Sequence, residues 1–395
     1  MNKLFKQAGL ILDILEKNDY EGYFVGGAVR DYILNRPIND VDITTNALPE
    51  EIERLFERTI DVGKEHGTIV VLIEDTPFEV TTYRTEGTYS NFRRPDKVFF
   101  TENLQDDLSR RDFTINAMAM MKNMILFDPY HGQDDLEENV INTVGEADER
   151  FGEDALRMLR AVRFMSQLDF KLTENVKAAI HKNKALLAHI ASERTFTELK
   201  KMYAGLNPSA AQNIIVETGL LEYIPFFKHV HKDTYLSACV SNIEEALVIH
   251  VYHDQSLLRF LNELKPSNHL KNQIRDSLSL MDDLSMNVNS KLIAYYYNKE
   301  IMDLVLHLNQ KNDVLSTDSV DILLNAITLK DKLVINSRSD LYVDGRVLMQ
   351  VLERQGGPWL KTLLSEIEKQ VVLGQLENDQ NEIINWVKNH AKYEE

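Results

Sequence analysis

The spacing of apolar residues divides the chain into two parts. Up to about residue 145, short runs of period two alternate with helical stretches, and beyond it a period near 3.6 continues almost to the end. The opening run M-N-K-L-F-K-Q-A-G-L-I-L-D-I-L-E-K reads as an amphipathic helix. Tyr23-Phe24-Val25 predicts a short strand ending at Gly26-Gly27, with a helix from about Ala28 to Leu34. Asp40-Val41-Asp42-Ile43 alternates as a strand, and Leu48 to Phe56 reads as a helix with Pro49 in its first turn, where proline is tolerated. Ile69 to Ile73 is a buried-type strand, and Phe78 to Tyr83 alternates as the next. Leu108 to Met121 is expected to be an amphipathic helix that begins with Arg110, Arg111 and Asp112, and Phe127 to Gly132 a turn. A continuous helix is expected from Phe151 to Phe164, then a helix through Ser192-Glu193-Arg194-Thr195-Phe196-Thr197-Glu198-Leu199 with a capping-box start at its serine. Breaks at Asn207-Pro208 and at M-N-V-N-S, from Met286, interrupt the helical part. The predicted class is α+β, a mixed α/β portion over 1–145 followed by helical segments over 146–206, 207–285 and 286–395.

Composition changes this picture little, and charge changes it more. The length of 395 residues suits two to four domains, and 44% hydrophobic with 27% charged residues is ordinary globular material. The formal net charge of −18 speaks against nucleic-acid binding through the field of the whole protein, so a polyanionic partner must be held by a local basic surface. The single cysteine, Cys239, excludes an internal disulfide, fits a reducing cytoplasm and is expected as a small buried hydrophobe. Asp13 interrupts the apolar N-terminal run, which argues against a secretory signal. No apolar stretch reaches the ~18 residues of a membrane span, so no membrane partner is expected.

The candidate chemistry gathers around residues 26–45. A Gly-Gly pair lets backbone approach a ligand closely and, at the end of a strand and the start of a helix, exposes N–H groups to an anionic oxygen. Strand alternation puts Asp40 and Asp42 on one face, and two hard oxygen ligands are what Mg²⁺ requires. Each feature alone is commonplace, a solvated turn or a flexible loop. Together, with Arg30 between them, they favour a metal-dependent nucleotide site. Glu79, alternating with Phe78 and Val80, is either a third carboxylate beside that pair or a solvent-facing strand residue. Arg110 and Arg111 at the start of an apolar helix would oppose the helix dipole unless an anion balanced them. Asp154 and Arg157 are helical neighbours, and Arg157, Arg160 and Arg163 recur at spacing three. An Asp-Arg pair at that spacing is usually a plain surface ion pair, but three arginines in register are harder to dismiss. His253-Asp254 has no further metal ligands in register and reads as surface.

These motifs resemble those of bacterial class II CCA-adding enzymes, tRNA nucleotidyltransferases of the polymerase-β-like superfamily, over almost the whole chain. G-G-A-V-R-D with D-V-D resembles the family's catalytic signature, R-R-D at Arg110 to Asp112 its ribose-reading motif, and E-D-A-L-R at Glu153 to Arg157 its nucleotide-selecting motif. S-E-R-T-F-T-E-L resembles the helical motif after it, and Val343-Asp344-Gly345-Arg346 with G-G-P-W, Gly356 to Trp359, resembles the tail domain. The resemblance implies a nucleotidyltransferase head over 1–145, a neck over 146–206, a body over 207–285 and a tRNA-binding tail over 286–395. It implies template-independent, Mg²⁺-dependent addition of C, C and A from CTP and ATP to the 3′ end of tRNA, in the cytoplasm, with a homodimer left open. Asp40 and Asp42 would hold metal, with Glu79 as a further catalytic carboxylate. Gly27, Arg30, Arg111, Asp112, Asp154, Arg157, Arg160 and Arg163 would bind ATP and CTP, the last two reaching the triphosphate or holding Asp154.

Asp154 and Arg157 side by side suit cytosine and adenine, which both present an amino donor beside a ring-nitrogen acceptor; uracil and guanine reverse both contacts. One site is expected to serve both bases, with the shift from C to A driven by the growing 3′ end and by the 84–97 loop, which carries Arg93 and Arg94 and which family members adding only CC are expected to lack. The alternatives are a bacterial poly(A) polymerase with the same catalytic core and a non-catalytic RNA-binding relative, expected to have lost Asp40 or Asp42. The lack of an appended phosphohydrolase domain points to nucleotide addition as the sole catalytic activity.

Overall fold

A computed structural model describes residues 3–87 and 97–390. The chain forms two compact units, one of Met1–Ser237 with Ser241–Ile243 and Leu257–Lys265, the other of Ala238–Val240, Glu244–Ser256 and Pro266–Glu395.

The first unit begins with α1 (Lys3–Lys17), whose apolar stripe of Phe5, Ala8, Ile11, Leu12 and Leu15 is buried. A seven-stranded sheet follows, built from β1 (Gly22–Val25), β2 (Asp42–Thr45), β3 (Thr59–Gly63), β4 (Thr68–Ile73), β5 (Thr76–Thr82), β8 (Ala119–Met120) and β9 (Leu126–Phe127). Its order is β3-β4-β5-β2-β1-β8-β9, and β2 with β5 is its parallel pair. A short hairpin of β6 (Arg84–Glu86) and β7 (Val98–Phe100) stands apart. β6 takes up the start of the expected 84–97 loop and β7 begins just after its end, and Arg93 and Arg94 lie outside the described residues. α2 (Gly27–Ile33) and α3 (Pro49–Leu55) connect the first strands, and β-branched residues supply the sheet's buried face: Ile43, Ile69, Val71 and Val80 are fully buried.

The expected helix from Leu108 to Met121 does not form. α4 (Leu104–Ser109) ends at Arg110, a 3₁₀ turn covers Thr114–Asn116, and the residues after it join the sheet as β8. Arg110 and Arg111 therefore lie at a helix C-terminus, where cations favour the dipole. α5 (Gly132–Glu137) packs on the 3₁₀ turn. β10 (Val140–Ile141) pairs with β11 (Lys171–Leu172), a small strand inside the helical part.

The long helix expected from Phe151 is also two. α6 (Ala147–Glu153) stops where Asp154 adopts an extended conformation, φ −131° and ψ 104°, and α7 (Leu156–Leu168) starts afresh. α8 (Glu174–Asn183) and α9 (Ser192–Tyr203) complete this region, and α9 packs along α7. The residue before α9 is Ala191, and Ser192 lies within the first turn without the expected capping bond. Asn207 does cap the next helix, accepting from Ala210 N at 3.0 Å.

The second unit is helical around a core that includes Leu348, Ile367, Val371, Ile383 and Val387. Asp344 of the V-D-G-R run caps the helix Gly345–Val351, and Gly357-Pro358 opens the helix Pro358–Leu373. Cys239 is exposed, not buried, because its backbone lies in the loop fixed by two bonds with the Asn312 side chain, each 2.9 Å. The His253-Asp254 pair is exposed, as expected. Among the described residues no helix is long and apolar enough to cross a membrane.

Candidate active site

The site grows from the register of β1 against β2. Val25 stands opposite Asp42, so the chain leaves β1 at Gly26 directly beside that carboxylate. Gly26 takes φ +71° and ψ −137°, a conformation that side chains resist. A Cβ there would lie 3.4 Å from Arg111 Nη1 and 3.6 Å from Asp42 Oδ2. Asp40 and Asp42 are exposed while Val41 and Ile43 are buried, as the alternation predicts. β5 runs parallel to β2 with Val80 paired to Ile43, and Glu79 opens into the same cavity as Asp40 and Asp42. Partial burial, then repulsion from Asp40 and Glu79, pushes the Asp42 carboxyl up to about 6, against the opposing pull of Arg111.

This cluster fits a divalent cation. A cation would relieve the repulsion that raises Asp42, and Mg²⁺ is commonly held by one or two carboxylates plus substrate oxygens without an all-protein cage. Among the described residues no group of three His, Cys, Asp or Glu forms such a cage.

The R-R-D run is organised by a residue that the sequence reading missed. Asp107 is fully buried and accepts from Arg110 Nη2 at 2.8 Å, Arg111 Nη2 at 3.4 Å, Thr44 Oγ1 at 3.2 Å and Arg84 N at 3.3 Å. Burial alone would raise its pKa, but Arg110 and Arg111 outweigh it and hold the carboxyl below its usual range. Removing one partner from such a buried set costs on the order of 3–5 kcal/mol, whereas an exposed pair such as Arg58–Asp75 is worth ~0–1 kcal/mol. Asp107 therefore ties the arginines to β2 two residues after Asp42. Its placement one turn before Arg110 and Arg111 on α4 was the available signal. Arg30 is clamped by Asp31, at 3.0 and 3.1 Å, and by Asn116 at 2.8 Å. Asn116 in turn reaches Asp112.

Beyond the α6–α7 break, each predicted arginine has its own carboxylate. Arg157 Nη1 bonds to Glu153, and its Nη2 donates to the Arg110 carbonyl at 3.2 Å. Arg160 reaches Asp112 through Nε at 2.7 Å and Nη2 at 2.5 Å. Burial opposes that charge, but Arg160 outweighs it and holds Asp112 below the usual carboxylate range. Arg163 lies 3.2 Å from Glu198 on α9, and burial, then Arg160, brings its guanidinium down to about 10. The ion pair of Asp154 is with Arg194 of α9, at 2.8 Å. Of the two roles that the resemblance suggested for Arg160 and Arg163, reaching the triphosphate or holding Asp154, the second falls to Arg194. The S-E-R-T-F-T-E-L motif contained this residue, but its partner lies 40 positions earlier and no periodicity links them. The Phe164 ring, also missed, lies beneath the guanidinium groups of Arg30, Arg160 and Arg163, at 5.2, 5.6 and 4.1 Å.

One cavity of about 1130 Å³ is lined by all eleven predicted residues: Asp40, Asp42, Glu79, Gly27, Arg30, Arg111, Asp112, Asp154, Arg157, Arg160 and Arg163. Eight cationic side chains and eight carboxylates share its wall, a local balance in a chain of net charge −18. Arg111 Nε, Arg163 Nε and Arg194 Nη1, on three of the arginines that line the cleft, are buried with no hydrogen-bond partner among the described residues.

Residues 22–142 match the Poly A polymerase head domain family, residues 169–230 the family described as a probable RNA and SrmB-binding site of polymerase A, and residues 242–387 the putative tRNA nucleotidyltransferase domain 2. The CCA-adding enzyme of Staphylococcus saprophyticus is 39% identical over 396 residues, covering 98% of this chain and 99% of that protein. The chain belongs to the CCA-adding enzyme family. A CCA-adding enzyme of Staphylococcus aureus is 38% identical over 397 residues, 98% of this chain and 99% of that one. The crystal structure of the Bacillus stearothermophilus CCA-adding enzyme in complex with CTP superposes with a TM-score of 0.84 at 33% identity, covering 98% of each chain. At 19% identity, the Thermotoga maritima CCA-adding enzyme shares the fold, with a TM-score of 0.66 over 98% of this chain and 94% of that one. The full-length relatives in this family favour CCA addition over the poly(A) polymerase alternative.

Proposed function

We infer that this protein is a tRNA nucleotidyltransferase that adds C, C and A, without a nucleic-acid template, to the 3′ end of tRNA from CTP and ATP, releasing pyrophosphate. The observation that carries this reading is the single cavity joining the Asp40–Asp42–Glu79 cluster to the Asp154–Arg157 segment, in a chain 39% identical to a CCA-adding enzyme along its length.

Asp40 and Asp42 would hold Mg²⁺, with Glu79 beside them. Bound there, Mg²⁺ would lower the pKa of the tRNA 3′-hydroxyl and neutralise charge developing on the triphosphate. Gly26 and Gly27 bring backbone to the cleft wall without side chains in the way, leaving room for phosphates beside Arg111. Arg30 adds positive charge there, and Asp31 and Asn116 fix its direction. Asp112, gripped by Arg160 and Asn116, is the acceptor for the ribose 2′-hydroxyl.

Base choice falls to Asp154 and Arg157. Each is oriented by a different partner, so the base meets two separately fixed groups, an acceptor and a donor. Cytosine and adenine satisfy both; uracil and guanine would leave a carboxylate and a guanidinium facing like groups, which a site built on hydrogen bonds rejects by as much as ~10⁴. The test is incubation with tRNA lacking its CCA end, Mg²⁺, CTP and ATP. Full CCA ends are expected. Ends stopping at CC, or long tails from ATP alone, would overturn the reading.

A further inference from the structure

Glu86 is the last residue of strand β6, at the loop side of the β6–β7 hairpin, paired there with Val98. Its carboxylate stands between two arginines, with Oε1 3.3 Å from Arg110 Nη1 and Oε2 3.9 Å from Arg157 Nη2. All three side chains are largely buried, at 13%, 15% and 9% exposure, so their charges act with little screening by water. Arg157 Nη2 also donates to the Arg110 carbonyl, which brings the two arginine residues into direct contact. Without an anion between them, the two guanidinium groups would repel, and the long Arg157 side chain has the rotamer freedom to swing away.

Glu153 holds the Nη1 edge of Arg157 from its own segment. Glu86 faces the Nη2 edge from a hairpin about 70 residues earlier. Hydrogen bonds to Glu153 at Nη1 and to the Arg110 carbonyl at Nη2 set the plane of the guanidinium, and the charge of Glu86, 3.9 Å from Nη2, favours that orientation, which decides the base edge it can meet.

We propose that Glu86 is a specificity-determining positioning residue, holding the Arg157 guanidinium in the orientation that accepts cytosine and adenine. The proposal rests on the base-selecting reading of Arg157 given above. Glu86 itself touches neither base nor metal in this account. Its loss therefore acts on discrimination more than on turnover.

The experiment compares wild type with Glu86→Ala, Glu86→Gln and Arg157→Ala on tRNA lacking CCA, measuring kcat/KM for CTP and for UTP, with a thermal melt of each protein. Glu86→Ala is expected to raise UTP use relative to CTP by about tenfold, with Glu86→Gln, which keeps shape but not charge, in between. A merely structural role would instead lower both values in proportion, along with the melting temperature. An unchanged UTP:CTP ratio in Glu86→Ala alongside a raised ratio in Arg157→Ala would overturn the proposal alone. An unchanged ratio in Arg157→Ala would overturn the base-selecting reading itself, and the proposal with it.

Discussion

Asp154 accepts a hydrogen bond from Arg194 Nη2 at 2.8 Å, so the carboxylate of the E-D-A-L-R segment is aimed by α9 and not by the arginine three residues after it. Its other oxygen accepts from Leu156 N at 3.0 Å, which fixes it to the start of α7. Loss of the guanidinium leaves Asp154 with one anchor and a looser carboxylate orientation. Arg194→Ala should therefore relax base choice about tenfold, less than Asp154→Ala, and the double variant should be no worse than Asp154→Ala alone. Competition of CTP and ATP against UTP and GTP on the same tRNA measures this.

Gly26 offers a sharper test of the cleft wall. At φ +71° and ψ −137°, alanine would carry backbone strain of roughly 1–3 kcal/mol, and its methyl would meet both Arg111 and Asp42. Gly26→Ala is expected to cut kcat by on the order of 10²-fold, since displacements of about 1 Å cost that much where positioning dominates. Thermal melting should fall by only a few degrees, and single-turnover incorporation of CTP separates the two effects.

Gly132 supports the site from behind. A Cβ there would lie 2.9 Å from the Thr114 carbonyl carbon and closer still to its oxygen. The same 3₁₀ turn carries Asn116, the link between Arg30 and Asp112. Gly132→Ala should destabilise the first unit by roughly 1–3 kcal/mol, read by urea unfolding, and should raise KM for nucleotide as Asn116 shifts.

The elements that were legible from the sequence are those whose signal is local. Alternation placed Asp40 and Asp42 on one face, and the apolar stripe of α1 came out where the period put it. The region from Leu108 to Met121 was misread because its apolar residues satisfy a helical period while its tertiary role is to enter the sheet at β8, a long-range pairing that no local window contains. The break at Asp154 was invisible for a related reason: E-D-A-L-R has good helix formers, and the extended conformation at Asp154 accompanies contacts to Arg194 and to Leu156 N. All eleven predicted residues line one cavity, yet the groups that contact them there, Asp107, Asn116, Glu86 and Arg194, were not predicted. Motifs mark the groups that face a ligand, whereas their partners come from wherever the fold supplies a counter-charge.

The Asp42 carboxyl, pushed up to about 6, gives the protein a pH dependence whose direction can be worked out. Between its ordinary value near 3.8 and about 6, the folded metal-free protein binds more protons at this group than the unfolded chain does. Stability therefore falls as pH rises through that window, and above it the cost is constant. Because Asp42 is solvent-accessible, that cost is screened, and about 1 kcal/mol is a reasonable size. Asp42→Asn should raise the melting temperature of the metal-free protein at pH 8 by a few degrees and flatten its dependence between pH 4 and 6. The same substitution should abolish nucleotide incorporation while leaving tRNA binding largely intact. In the wild type, Mg²⁺ must displace the proton, so the Mg²⁺ concentration giving half-maximal activity should rise steeply as pH drops below about 6. Chelation with EDTA should stop incorporation and excess Mg²⁺ should restore it. Activity of Asp42→Asn near the wild-type level, or a half-maximal Mg²⁺ concentration that stays flat from pH 8 to pH 5, would remove Asp42 from the metal site.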